Sequence, residues 1–137
     1  CAKGFMVRDF GELIPGISVS GVDISEYAIG CADSNIQPHL QVADARSLPF
    51  DDDSFDLVVS INTVHNLERD GVAQALGEIG RVSRRFAYVT VDAYRDEEER
   101  KRMMKWNLTA LTVLSDRGWV ELFEEACYTG DYYWFIP

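Results

Sequence analysis

Residues 55–61 read Phe-Asp-Leu-Val-Val-Ser-Ile, an almost unbroken apolar run with hardly any alternation. A strand with one wet face alternates apolar and polar side chains. A run like this one belongs to a strand covered by helices on both faces, which is the environment of a parallel sheet. The rest of the chain agrees. Strand-like runs at Ile17–Ile24, Leu40–Asp44, Phe55–Ile61 and Phe86–Val91 alternate with helix-like stretches, with no repeat, low-complexity segment or linker among them. That order predicts one α/β domain over residues 1–137, built on a doubly wound, mostly parallel sheet.

The helical stretches follow from local chemistry. Phe5, Met6, Phe10 and Leu13 mark one face of a first helix, which Pro15-Gly16 ends. Ser25 can cap a second helix running to about Asp33. A third spans about Asp70 to Val82, with Val72, Leu76, Ile79 and Val82 on one side. Asp96 with Glu99 three positions on signals a capped helix expected to reach about Leu114, and another runs from Asp116 to about Cys127. The tail from Tyr128 to Ile136 is strand-like.

Where the strands end is the functional clue. The small-residue turn Cys1-Ala2-Lys3-Gly4-Phe5 opens the first helix, and about nineteen residues later the next strand closes on Asp23. A turn of this kind lets backbone approach a ligand at a helix N-terminus, and a strand-end acid can accept hydrogen bonds from ribose hydroxyls. The following strand closes on a second acid, Asp44. In a parallel sheet all strand ends lie on one side, so the turn, Asp23 and Asp44 are expected to line one crevice. They would hold a ligand's polar chain, its ribose and the exocyclic amine of an adenine. The strand that should feed the turn is not in the sequence. The expected sheet therefore lacks its first strand, and the domain reads as truncated at its N-terminus.

Composition narrows the choice of ligand. The net charge is −10, which repels phosphate backbones and argues against a nucleic-acid partner. With 47% hydrophobic and 26% charged residues the chain reads as globular. No apolar run is long enough for a bilayer, so no membrane partner is expected. Cys1, Cys31 and Cys127 are odd in number and match no metal-ligand spacing, which reads as reduced thiols in a cytoplasmic protein without a metal.

Taken together, these segments resemble the class I S-adenosylmethionine-dependent methyltransferases, of the small single-domain kind similar to ubiquinone and menaquinone biosynthesis enzymes. Cys1-Ala2-Lys3-Gly4-Phe5 resembles the end of that family's glycine-rich first motif, with Ala2 in place of a glycine. Gly21-Val22-Asp23-Ile24-Ser25 resembles the second motif, and Ala43 to Phe50 the third. Ser54 to Ser60 resembles the fourth, followed by Asn62 to Leu67. The resemblance implies a Rossmann-like fold, S-adenosylmethionine as cofactor and S-adenosylhomocysteine as product. It implies cofactor contacts from Ala2, Gly4, Asp23, Ile24, Asp44, Ala45, Ser60 and Asn62. His65, just past the fourth strand, is the expected catalytic base. Asn66, Asp92, Tyr94 and Trp106 are the expected contacts to a small-molecule methyl acceptor, with Asp92 and Tyr94 leaving the fifth strand on the ligand side.

Two other readings share parts of this pattern. A nicotinamide-dependent oxidoreductase would use the turn and Asp23 but does not call for Asp44 and the Ala45-to-Phe50 segment. A methyltransferase-like domain without activity, serving as a binding or partner module, would explain the absent first strand. Neither the acceptor atom nor the oligomeric state is legible in the sequence.

Overall fold

Gly4 starts the first helix, α1 (Phe5–Leu13), from the left-handed region at φ 75°. A Cβ at Gly4 would lie 2.8 Å from Ile36 Cγ2 and 2.9 Å from Leu40 Cδ1, so the turn packs directly on the strand behind it. Gly21 is as tightly enclosed: its Cβ would lie 2.8 Å from Val7 and 3.0 Å from Leu40. These two glycines let helix and strand approach closely. The computed structural model describes residues 1–136, which fall into two compact units, one over residues 1–49 and one from residue 50 onward.

The first unit holds α1, β1 (Gly21–Asp23), α2 (Glu26–Gly30) and β2 (Leu40–Val42). β1 and β2 are parallel, with Gly21 opposite Leu40 and Asp23 opposite Val42. Val7, Ile29 and Leu40 are its buried core, with Val19, Ala32 and Ile36 against them. Ser25 caps α2 by accepting the Ala28 N–H at 3.1 Å. Both β1 and α2 are shorter than their sequence pattern suggests. β1 covers 21–23 rather than 17–24, because a 3₁₀ turn at Gln37–His39, with Pro38 in it, delays β2 until it is opposite Gly21. α2 stops at Gly30 rather than about Asp33, and Asp33 instead turns the chain by accepting the Asn35 N–H.

The second unit runs β3 (Phe55–Ile61), α3 (Arg69–Val82), β4 (Ser83–Tyr94), α4 (Glu97–Trp106), β5 (Leu114–Ser115), α5 (Asp116–Glu125) and β6 (Asp131–Phe135). β4 is the hub. β3 pairs along it with Ile61 opposite Thr90, β6 with Asp92 opposite Phe135, and β5 with Tyr94 opposite Ser115; every pairing is parallel. Along β4, Ala87, Val89, Val91 and Ala93 are buried, whereas Tyr88, Thr90, Asp92 and Tyr94 are half-buried. The buried set shares a core with Val72, Leu76 and Ile79 of α3 and Trp119, Leu122 and Phe123 of α5. β6 divides the same way: Tyr132 stacks on Phe123 of α5 at 4.7 Å, while Phe135 meets Trp106 of α4 edge-on at 6.2 Å. Helices thus serve both faces, and the chain has the Rossmann-like α/β fold expected from the alternation.

Two further expectations change. β3 was expected to be covered on both faces, yet Leu57 is 49% and Ile61 38% exposed, and among the described residues β3 pairs with β4 alone. The helix expected to reach Leu114 stops at Trp106. Asp96 caps its start by accepting the Glu98 and Glu99 N–H groups. At its end Asn107 folds its side chain back on Ala110, accepting the N–H at 2.8 Å and donating to the carbonyl at 3.0 Å. Such a local side-chain turn competes with helix, and the β-branched Thr109, Thr112 and Val113 add nothing to helix propensity.

Candidate functional site: two strand ends

In the first unit the turn is tied to the strand-end acid. Asp23 Oδ2 accepts from the Cys1 nitrogen and from the Ala2 N–H, each at 2.8 Å, and Oδ1 accepts from the Ser25 N–H at 2.9 Å. Ala2 takes φ 49°, a left-handed conformation uncommon for a residue with a Cβ, and it does so while donating to Asp23. Burial pushes the Asp23 carboxyl up, but the charged amino terminus at Cys1, with the Ser25 and Ala2 N–H groups, overcomes it and holds the group at about 2. Ile24 lies exposed beside it, and the Asp23 carbonyl accepts from the Ala43 N–H at 3.0 Å. One position further on, just past β2, stands Asp44. Its carboxylate is bridged by Arg46 at 2.6 Å and accepts the Arg46 N–H at 2.9 Å, which lowers its pKa. Ala45 sits in the turn closed by the Ser47 N–H on the Asp44 carbonyl. The structure therefore gathers Ala2, Asp23, Ile24, Asp44 and Ala45 at adjacent parallel strand ends. Gly4 closes the same turn and starts α1, and a Cβ there would meet Ile36 and Leu40.

These residues suit an adenosyl ligand by their chemistry. A carboxylate offers about four acceptor positions, of which Asp23 has three engaged, leaving capacity toward a hydroxyl. Asp44 and Arg46 are both partly exposed, so their pairing is open to exchange for another donor.

The second unit builds a different strand end. Asn62 leaves β3 at φ 48° and is locked to β4: its N–H donates to the Thr90 carbonyl and hydroxyl at 3.1 Å each, and the Thr90 hydroxyl donates to Asn62 Oδ1 at 3.0 Å. Ser60 is half-buried within β3 opposite Val89. His65 lies in a 3₁₀ turn, Val64–Asn66, and is 5% exposed. Its Nδ1 accepts the Asp92 N–H at 3.3 Å, and its carbonyl accepts the N–H groups of Leu111 and Thr112 at 3.0 Å. Burial pushes the His65 pKa down, with Asp92 pulling weakly the other way. A neutral ring whose Nδ1 is an acceptor carries its proton on Nε2. In this geometry His65 joins the β3 exit, the end of β4 and the 107–112 loop. Thr112 completes the joint by donating its hydroxyl to the Leu67 carbonyl at 2.6 Å.

Asp92 and Tyr94 occupy the half-buried face at the end of β4, and Trp119 Nε1 donates to the Asp92 carbonyl at 2.8 Å. Asn66 lies next to His65, and Trp106 reaches the same sheet face through Phe135. Sequence reasoning did not single out Phe135 or Thr90. The tail reads as strand-like, but only its parallel register against β4 tells which of its aromatics stand beside Asp92.

Comparison with protein families matches residues 1–91 to the methyltransferase domain family. This chain belongs to that family. An uncharacterised Haemophilus influenzae protein is 28% identical over 123 residues, a match covering 81% of this chain and 49% of that protein. The chain thus spans about half the length of that relative. Among solved structures, the Haloferax volcanii protein in complex with the Trm112 methyltransferase activator superposes at a TM-score of 0.69 and 24% identity, covering 91% of this chain and 57% of its own. The YcgJ protein of Bacillus subtilis does so at 0.70 and 22%, with 91% and 57% covered. The PH0226 protein of Pyrococcus horikoshii follows at 0.64 and 24%, with 91% and 68% covered. At these identities the likeness shows that the methyltransferase-family chain shares their fold. Among the described residues no cluster suits a metal ion, and no helix is long and apolar enough to cross a membrane.

Proposed function

We propose that this methyltransferase-family chain binds S-adenosylmethionine at the strand ends of its first unit and methylates a small-molecule acceptor. The observation that carries the reading is the pair of acids at adjacent parallel strand ends, Asp23 and Asp44, with the Cys1-to-Gly4 turn tied onto Asp23. Asp23 would accept from the ribose and Asp44 from the adenine amine, with Ala2, Ile24 and Ala45 beside them. Ser60 and Asn62 are proposed as cofactor contacts on the sequence resemblance alone.

The cofactor supplies an already activated methyl group, so the protein's share of the work is alignment and exclusion of water. Asn62, pinned by Thr90, and the His65 strut give the second unit a fixed strand end for that purpose. Asn66, Asp92, Tyr94 and Trp106 are proposed as the acceptor side. We assign His65 to positioning rather than to proton removal, because its Nδ1 lone pair is already committed to the Asp92 N–H. A net charge of −10 favours a small molecule over a nucleic acid as acceptor. A cytoplasmic setting is part of the proposal, on the odd cysteine count.

Calorimetric titration of S-adenosylhomocysteine tests this. The chain should bind it, and Asp23→Ala should weaken binding at least about tenfold, the scale of a lost charge-assisted hydrogen bond. A folded chain that binds neither S-adenosylhomocysteine nor S-adenosylmethionine would overturn the reading.

A further inference from the structure

In the second unit the strand-end acid Asp92 has a carboxylate that no donor reaches. Among the described residues no hydrogen bond reaches its oxygens, its side chain is only 12% exposed, and His65 Nδ1 stands 3.8 Å away. Beside His65, Asn66 Oδ1 is buried with no hydrogen-bond partner. Asn66 Oδ1 is a buried acceptor left open, a kind of group that calls for an explanation, and the half-buried Asp92 carboxylate beside His65 likewise receives no donor. Both lack the same thing, a donor. Burial also pushes the Asp92 carboxyl upward, with His65 pulling the other way.

The surroundings narrow the kind of donor. Residues opposite one another in parallel register share a sheet face. Phe135 is therefore beside Asp92, and Tyr133 and Ile61 are beside Thr90 one step below. Phe135 and Tyr133 are 51% and 59% exposed, and Trp106 stands edge-on to Phe135. A carboxylate set against exposed aromatic faces is a setting for an ammonium group, which gains from the charge and from the rings together. The chain's overall acidity favours the same sign of ligand.

We propose that this face takes an amine: a small molecule with an ammonium or amine group at Asp92 and an apolar body against Phe135, Tyr133 and Trp106. That this amine is the methyl acceptor rests on the proposed function; that it binds here does not.

The test uses three probes of similar shape and different charge, phenethylamine, 2-phenylethanol and 3-phenylpropanoate, titrated into the ¹⁵N-labelled chain. Phenethylamine should shift the amides of Asp92 and Phe135 at concentrations at least about tenfold below 2-phenylethanol, with 3-phenylpropanoate weakest. Asp92→Asn should remove the preference for the amine. Phe135→Leu, which leaves the acid in place, should weaken phenethylamine more than 2-phenylethanol. Equal binding of the three probes, no binding of phenethylamine, or a preference that survives Asp92→Asn would overturn the inference. Titration of S-adenosylhomocysteine reads the Asp23 site separately. Loss of amine selectivity with cofactor binding intact sinks this inference alone, and selective amine binding without cofactor binding sinks the methyltransferase reading alone.

Discussion

Asp23 and Asp92 each stand at the C-terminal end of a parallel strand, and their surroundings have opposite effects. Three nitrogens point at Asp23, and its pKa falls to about 2. No donor reaches the Asp92 carboxylate among the described residues, and burial raises its pKa. The first acid is part of the architecture: it holds the glycine turn in place. The second receives no hydrogen bond among the described residues, and His65 offsets its burial only in part. The same residue type at an equivalent point of the fold can therefore be scaffold in one unit and reserve in the other. The donors tell them apart, not the position.

The frame around each acid differs too. Val7, Ile29 and Leu40 make a small core in the first unit, whereas the second is centred on fully buried Trp119, Leu76, Val89 and Val91. The largest expected effect follows from this. Trp119→Ala should destabilise the second unit by about 4 kcal/mol, the usual cost of emptying a large aromatic site, as read by urea unfolding. Trp119→Phe should cost much less and report mainly the lost hydrogen bond to the Asp92 carbonyl.

Next in size is Asp23→Ala. It leaves the Ala2 and Ser25 N–H groups without their acceptor and should cost about 2 kcal/mol at neutral pH. The folded-state pKa of Asp23 is depressed, so its contribution is complete above the ordinary aspartate value and is lost as pH falls through about 2. The gap between wild type and variant should close over that range. A gap that does not change with pH would mean that the carboxylate is not what holds the turn.

Asp92→Asn should have the smallest effect and the opposite sign. Because its folded-state pKa is raised, the ionised group costs stability at neutral pH, and that cost disappears below the ordinary value near 3.8. The variant should melt slightly higher at pH 7, by about 1–3 °C, and no higher under acid conditions. A lower melting point at pH 7 would show that Asp92 has a stabilising partner after all.

Much of this contrast is legible in the sequence. The apolar run 55–61, the capping Ser25 and Asp96, and the acids at 23 and 44 are local signals, and each lies where its pattern put it. What stayed hidden was non-local. Ile17–Ser20 has strand composition, but Pro38 sets where its neighbour begins, so the strand is short. His65 looks like a base by type and place. Only the Asp92 N–H, twenty-seven residues away, shows which nitrogen is taken. Phe135 carries no local signal, and only its register sets it beside Asp92.

Carboxyl-detected NMR of the ¹³C-labelled chain tests the contrast most directly, because one pH titration reads both acids. The account predicts that Asp23 titrates at about 2 and shifts when S-adenosylhomocysteine is added, while Asp92 titrates above the ordinary aspartate range and responds to phenethylamine. Two aspartates that titrate alike, or S-adenosylhomocysteine that moves Asp92 and leaves Asp23 unchanged, would contradict it.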